Sequence, residues 1–573
     1  MYELRVVPRF RRWAGQLLSS EARSELALSL VIGALVGLVV VAFILLTGRL
    51  ASRMYPPESA VWRRLLIPTI GSLVSGILLY RYFPEARGSG IPQTKFALFL
   101  RDGYISLRTV IGKFICCSIS LASGLALGRE GPSVHIGAGI ASVLARSFGL
   151  GPDRVKALIP VGCSAALAAA FNTPIAAVLF SLEEILGDLH ARVLGTVVVS
   201  SATSWAVLHL ILGDEPLFHV PSYRLVHPLE FGIYAALGVV GGLGSVIFVK
   251  LLLAIRLLFR RLPRSTTWLQ PAVGGLAVGI MAVWKPEVLG VGYDLVEQVL
   301  GGNLVLSSII VLAILKIVAT SVCYSSGNAG GIFGPSLFIG AMIGGSVGAV
   351  AHTIFPEQTA GPGAYALIGM GTAFAGIVRS PLTSVIMVFE MTRDYTIIVP
   401  LMISNLVSFF VSQRLQHEPI YEALARQEGV LLPTAEGREV PANLRVGSAL
   451  SKVREVLLPT DAIPAALRSM QVHGWDALPV NGGDGIRALA TEGELRRALE
   501  AGQQTVGDIY PTSRSYAYVH ADHSLSVALQ TMGAAEVNVL PVVSRSDIRH
   551  VIGMIALPDI LSRFGVRERM EVK

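Results

Sequence analysis

Charge is what this chain has least of. Asp, Glu, Lys and Arg make up 15% of its 573 residues, against about 25% in soluble domains. A chain so poor in charge cannot clothe a water-exposed surface of this size, so a soluble protein is excluded over most of its length. Cysteine is also scarce. Cys116, Cys117, Cys163 and Cys323 all lie inside apolar runs, without metal-ligand spacing, and read as small core fillers with no chemistry of their own. Basic residues number 47 and acidic ones 39. The excess forms no stripe, so nucleic acid is not an expected partner.

Apolar residues fill the space that charge leaves, at 52% of the chain with a mean hydropathy of +0.61. Runs such as "LALSLVIGALVGLVVVAFILL" and "SSIIVLAILKIVATSVC" come close to the roughly 20 residues with which a helix crosses a bilayer. No alternation of polar and apolar residues favours a barrel. A multi-pass, all-helical membrane protein is expected. The basic cluster from Arg9 to Trp13 precedes the first run without a small-residue cleavage site. It reads as a cytoplasmic N-terminal segment rather than a removed signal peptide. Apolar segments continue to about residue 416, among them 157–182 and 364–392. Several are short or interrupted by Gly and Pro, the pattern of discontinuous helices around a buried polar cavity.

The membrane part repeats itself. "GREGPSVHIGAGI", from Gly128, and "GIFGPSLFIGAMI", from Gly331, agree at eight of thirteen positions, at an offset of 331 − 128 = 203. "FNTPIAAVLFSLEE" and "VRSPLTSVIMVFEM" follow in the same order, with Pro174 over Pro381, 381 − 174 = 207. Two matches in one order at nearly one offset imply two homologous halves. Duplicated halves in transporters place the substrate between them near the bilayer midplane.

Each motif is Gly-x-x-Gly-Pro followed by an apolar run. Proline suits the first helical turn, and glycine lets a backbone come close to a ligand. Both motifs, and "GSGIP" at Gly88 to Pro92, therefore read as helix N-termini inside the membrane. Such ends carry unpaired N–H groups and roughly half a positive charge, so several together make an anion site. Glu130, in the first motif, is costly at that depth and functional by default. A structural ion pair with adjacent Arg129 is the plainer alternative, though neighbouring helical side chains diverge.

After residue 440 the composition turns soluble. A tandem repeat of about sixty residues has β-α-β-β-α order in each copy, with "AALRSM" answered by "VALQTM" and "ALPV" by "VLPV". One copy cannot bury its own faces, and two together can. The repeat resembles a pair of CBS domains, which often bind adenosine nucleotides between copies.

With "GSGIP", "GREGP" and "GGIFGP" in that order and "EPIYEAL" after the last membrane segment, the chain resembles the CLC family of chloride channels and chloride/proton exchangers. The resemblance implies two inverted halves with discontinuous helices and a cytoplasmic α/β CBS pair. Its segments are a cytoplasmic N-terminus at 1–24, a transmembrane domain at 25–425, a linker at 426–443, and CBS copies at 444–503 and 504–573. Both termini are expected in the cytoplasm, and the assembly is expected to be a homodimer with one pathway per subunit. Chloride and protons are the expected ions. No cofactor or metal is required, with ATP, ADP or AMP as an expected regulatory ligand at the CBS pair.

The resemblance also assigns residues. Glu130 becomes the gating glutamate, which exchanges with chloride at the anion site and carries a proton. Ser89 becomes a chloride ligand, where a lone serine would be a turn or cap residue, and its retention favours chloride over fluoride or nitrate. Tyr421, two residues after Pro419, becomes the second hydroxyl on chloride rather than a belt tyrosine. Ile332 and Phe333 would turn backbone N–H groups to the anion, their side chains being ordinary core. Glu183 aligns with Glu390 in the repeat, which argues a structural role in both halves. Glu184 aligns with Met391. It matches the glutamate that takes up the internal proton in exchangers, where channels usually carry an apolar residue. Lys113 matches a family lysine that adds to the field around the anion, and a snorkelling helix-end lysine is the other reading. Asp559 stands where CBS copies contact ribose, with Ala556 in place of the usual Ser or Thr. In the first copy Thr491 precedes Glu494 rather than an aspartate. A chloride/proton exchanger is expected, with a passive voltage- or proton-gated chloride channel as the alternative. An intramembrane enzyme using Glu130 and Tyr421 lacks a nucleophile–base pair or a metal set. A nucleotide sensor with a mere membrane anchor leaves Glu130 and the duplicated helix starts without a purpose.

Overall fold

A computed structural model describes residues 21–563 apart from 57–58, 191, 219, 221–224, 431, 433–443, 452–455 and 484. The basic N-terminal cluster and most of the expected linker lie outside the described residues. The chain separates into two compact units, 1–432 and 433–573.

The first unit is helical. In chain order its α-helices are α1 (Glu21–Met54), α2 (Val61–Arg81), α3 (Ile91–Leu100), α4 (Leu107–Ala122), α5 (Glu130–Ser147), α6 (Pro152–Phe171), α7 (Pro174–Phe180), α8 (Leu194–Leu212), α9 (Glu230–Arg261), α10 (Gln270–Trp284), α11 (Tyr293–Leu300), α12 (Leu306–Ser325), α13 (Phe333–Ile354), α14 (Pro362–Val378), α15 (Pro381–Thr392), α16 (Ile398–Leu415) and α17 (Ile420–Gln427). Among the described residues, eight helices of this unit are long and apolar enough to cross a membrane. The expected helix starts are present: α3 begins inside "GSGIP", α5 at Glu130 and α13 at Phe333.

The segments 157–182 and 364–392 are not single helices. Each breaks in two, at Asn172–Thr173 and at Arg379–Ser380. Asn172 and Arg379 are left-handed, with φ of 60° and 66°, and each is followed by a residue outside the helical region, with ψ of 79° and 75°, and then a proline that opens the next helix. The residue before proline is pushed out of the α region, so the break is local and repeats at the offset of 207. After α7 the chain widens into a π-helical turn, Ser181–Leu186.

Small residues let the helices touch. α5 meets α6 at Gly137 and Gly162, and α13 meets α14 at Gly340 and Gly369. A β-carbon on Gly162 would lie 2.6 Å from the Gly137 carbonyl carbon, and one on Gly369 would lie 2.7 Å from the Gly344 α-carbon. Without a hydrophobic drive between helices in lipid, such backbone approach is what holds them. Leu and Ile side chains at the periphery, such as Leu210, Ile247 and Ile280, stay exposed, as a lipid-facing surface requires. The four cysteines are buried and unpaired.

The second unit holds α18 (Ile463–His473), β1 (Ala477–Asn481), β2 (Ile486–Thr491), α19 (Glu492–Glu500), α20 (Val506–Ile509), β3 (Val519–His520), α21 (Leu525–Ala535), β4 (Val539–Val543), β5 (Val551–Ala556) and α22 (Leu557–Arg563). β1 pairs antiparallel with β2, and β4 lies between parallel β3 and antiparallel β5. Among the described residues, the expected opening strand of the first copy is one parallel bridge, Leu457 to Val480. Pro459, which has no N–H to extend a ladder, and the turn it enters end it. Val539 and Met554 of the second copy complete the first core, while Ala477 and Leu489 of the first complete the second. Neither copy closes its core alone.

Candidate anion pathway

The three Gly-Pro motifs meet. Gly128 and Gly331 exchange both backbone hydrogen bonds, each at 2.7 Å, and Gly330 donates to the Gly88 carbonyl at 3.4 Å. The antiparallel exchange is what two oppositely running halves produce where they touch. Gly90 sits at φ 105°, and a β-carbon there would lie 2.7 Å from the Gly131 carbonyl oxygen. Only glycine tolerates both demands. The starts of α3, α5 and α13 are thereby held together.

Among the described residues, two buried hydroxyls near these starts have no hydrogen-bond partner: Ser89 Oγ, in the loop before α3, and Tyr421 Oη, in the first turn of α17. α17 packs against α3. Buried hydroxyls are nearly always satisfied, and two left open beside helix tips suit an anionic substrate. Ile332 caps α13 and Phe333 begins it. Their N–H groups belong to the turn that has no intrahelical acceptor. The Phe333 ring is core, lying 4.8 Å from Phe171, 5.6 Å from Phe180 and 4.4 Å from Phe374 between centroids.

Glu130 is fully buried. One carboxylate oxygen accepts from the Gly334 N–H at 3.2 Å, and the other from the Tyr293 hydroxyl. The negative group thus lies on the amide tip of the opposite half. The ion pair with Arg129 is not made in a bonding geometry. Its Nε stands 4.0 Å away and without a hydrogen bond, and the guanidinium lies 5.5 Å from the centre of the Tyr293 ring.

Glu184 is 8% exposed. It accepts from Lys95 Nζ at 2.7 Å and from Ser380 Oγ at 3.3 Å, and Lys95 also reaches Glu422 at 3.8 Å. Glu183, its neighbour, serves the other half. It accepts from Leu382 N at 3.3 Å and from Thr383 N and Oγ1 at 2.8 and 2.6 Å, at the start of α15. Glu390 returns the contact, accepting from Ile175 and Ala176 at the start of α7, at 3.0 and 2.7 Å. The repeat-related pair caps each other's half, a structural role that the alignment alone had suggested.

Lys113 does not snorkel. It is fully buried, and its Nζ donates to the carbonyls of Arg87 and Gly88 at 3.4 and 2.9 Å. Lys316 does the same in the second half, at Val288 and Gly290, at 3.2 and 2.6 Å. Sequence reasoning passed over Lys316, Tyr293 and Lys95. The signal for Lys316 was available, since 316 − 113 = 203 is the motif offset. Nothing local marked Tyr293 or Lys95, because their partners lie 163 and 89 residues away.

In the second unit, Asp559 Oδ2 accepts from Ser451 Oγ at 2.9 Å. Glu494, its counterpart, is already engaged by the Tyr510 hydroxyl at 2.6 Å and Thr491 Oγ1 at 3.1 Å. Burial first, then the hydrogen bond to Glu494, push the Tyr510 phenol above its ordinary range, so it stays a donor.

Helix tips meeting around two open hydroxyls, with a carboxylate on one tip, define an anion transporter of the duplicated, broken-helix class. The chain belongs to the family described as voltage gated chloride channel, which it matches over residues 71–413, and residues 506–565 match the CBS domain. It is similar to the H(+)/Cl(-) exchange transporter ClcA of Vibrio campbellii, 31% identical over 420 residues, 70% of this chain and 89% of that one. The ClcA of Vibrio cholerae O395 is 32% identical over 418 residues, with the same shares. Among solved structures, a slow cyanobacterial Cl-/H+ antiporter aligns with a TM-score of 0.65 at 27% identity, over 70% of this chain and 97% of that one. A eukaryotic CLC transporter shares the fold over 93% of this chain and 97% of its own, with a TM-score of 0.63 at 20% identity. The protein is therefore a multi-pass integral membrane anion transporter, with chloride and protons as the transported ions of its relatives.

Proposed function

We propose that this protein exchanges chloride for protons across the membrane. Chloride lies between Ser89 Oγ, Tyr421 Oη and the N–H groups of Ile332 and Phe333. Glu130 competes with it for the helix tips as a carboxylate, and leaves them when protonated, because a neutral group gains little from their partial charge. Glu184 passes protons to and from the inner solution. The observation that carries this reading is the position of the Glu130 carboxylate on the Gly334 amide, where an anion's charge belongs. The buried Glu184, present where a channel would have an apolar side chain, favours exchange over passive conduction. The likeness to the two ClcA exchangers and to the cyanobacterial antiporter supports the same choice. A homodimer with a pathway in each subunit, termini in the cytoplasm, and an adenosine nucleotide bound beside Asp559 complete the proposal.

The deciding experiment reconstitutes the full chain in liposomes and imposes a chloride gradient. An exchanger drives protons uphill until the proton gradient balances the chloride gradient. If protons only follow their own gradient while chloride flows, the protein is a channel and the proposal is lost.

A further inference from the structure

The two buried lysines point to a part of the gate that neither motif announces. Lys113 grips the carbonyls of Arg87 and Gly88, in the loop that carries Ser89 into α3. Lys316, its repeat partner, grips those of Val288 and Gly290, in the loop that leads into α11. The second loop is fixed from both sides, since the Gly290 N–H donates to the Gly124 carbonyl at 2.9 Å. The Lys316 ammonium is held 4.7 Å from the centre of the Phe338 ring. Each loop delivers one hydroxyl to the place where the helix starts meet. In the first half it is Ser89, left open. In the second it is Tyr293, the first residue of α11, and it is bonded to Glu130. The ring has little freedom to leave, with the Arg129 guanidinium 5.5 Å from its centre and Phe218 edge-on at 5.6 Å.

We infer that Tyr293 is a latch on the gate: its hydroxyl, set in place by the loop that Lys316 holds, ties the Glu130 carboxylate into the anion site and slows its replacement by chloride. The inference rests on the reading of Glu130 as that gate. A phenol that donates to the carboxylate gives it a second anchor besides the Gly334 amide. Chloride, which has to displace the carboxylate, competes against both. Among the described residues, the other titratable groups near Glu130 are Arg129 in its own turn, and Cys117 on α4 and Tyr421 on α17, which lie within reach of its charge. The first turn of α13 brings no titratable side chain. Tyr293 is the one among these that hydrogen-bonds the carboxylate in the described residues.

Tyr293→Phe keeps the ring and removes the hydroxyl. In liposomes its chloride turnover at pH 7.5 is expected to rise roughly tenfold, the value of one hydrogen bond to a charged acceptor at its lower limit. The increase of flux between pH 7.5 and pH 4.5 is expected to shrink, because protonation has less of an anchor to release. In a Glu130→Gln background the same substitution is expected to change turnover less than twofold, since no carboxylate is left to latch. Turnover and acid response equal to wild type overturn the inference, and so does an equal acceleration in both backgrounds, which marks Tyr293 as a steric obstruction. If Glu130→Gln itself keeps proton coupling, the reading of Glu130 fails and the latch with it. If Glu130→Gln loses coupling while Tyr293→Phe behaves as wild type, only the latch fails.

Discussion

At the scale of single residues, the meeting helix starts leave selected polar groups unsatisfied and over-satisfy others. Ser89 and Tyr421 keep open hydroxyls, while Glu130 takes two donors from the second half of the chain. Glu130→Gln removes the charge and the transferable proton together. It is expected to abolish proton transport while chloride flux persists, as read by parallel chloride and pH electrodes on proteoliposomes. Glu184→Gln is expected to cut proton flux by tenfold or more with chloride flux continuing, so a mutant with unchanged proton flux would remove Glu184 from the proton route. Lys95 is bound to that carboxylate at 2.7 Å in a nearly closed setting. Replacing it with Met strands a buried charge, so a loss of about 3–5 kcal/mol is expected. Thermal unfolding in detergent checks it, and an unchanged midpoint would mean that water already screens the pair. The sequence made Glu130, Ser89, Tyr421 and Glu184 visible because each stands in or beside a motif. It hid Lys95 and Tyr293, whose significance lies wholly in what they face.

At the scale of elements, the helices are joined by exchanged caps. Glu183 of the first half closes the start of α15, and Glu390 of the second closes the start of α7. Each carboxylate satisfies two N–H groups that have no intrahelical acceptor and lies where the helix dipole favours negative charge. Glu183→Ala and Glu390→Ala are each expected to destabilise by about 1–3 kcal/mol, to a similar extent, because the contacts are related by the repeat. Unfolding midpoints that fall for one and not the other would show that the caps are not equivalent. In the second unit the two copies have diverged. Glu494 is spent on Tyr510 and Thr491, while Asp559 faces Ser451. Asp559→Ala is accordingly expected to weaken binding of ATP, ADP or AMP by calorimetry on the full chain. A wild-type protein that binds none of the three would leave the pair a structural or differently tuned module. The breaks that divide 157–182 and 364–392 were written locally in Asn172-Thr173-Pro174 and Arg379-Ser380-Pro381. They were missed because the apolar character continues across them, and hydropathy does not register a left-handed residue.

At the scale of the whole molecule, duplication explains why several helix starts meet at one place with few full charges around them. Each half supplies helix starts that could not satisfy their N–H groups alone, and Gly128 and Gly331 lock the two sets together by a reciprocal pair of hydrogen bonds. Amide tips hold an anion strongly enough to strip its water and weakly enough to let it go. A site built of full positive charges would trap it. This is also why the proton-coupled reading stands or falls on flux measured across a membrane.

Composition, repeat offset and the three Gly-Pro motifs were enough to determine a duplicated membrane transporter with helix tips at its centre, because low charge, proline at helix starts and glycine at close contacts act locally. The pairings were decided only by the tertiary structure: Glu130 with Tyr293 and Gly334, Glu184 with Lys95, Glu183 and Glu390 with the opposite half, and Lys316 with the loop before α11. Each joins residues far apart in the chain, and a one-dimensional pattern carries no distance between them until the two halves fold against each other.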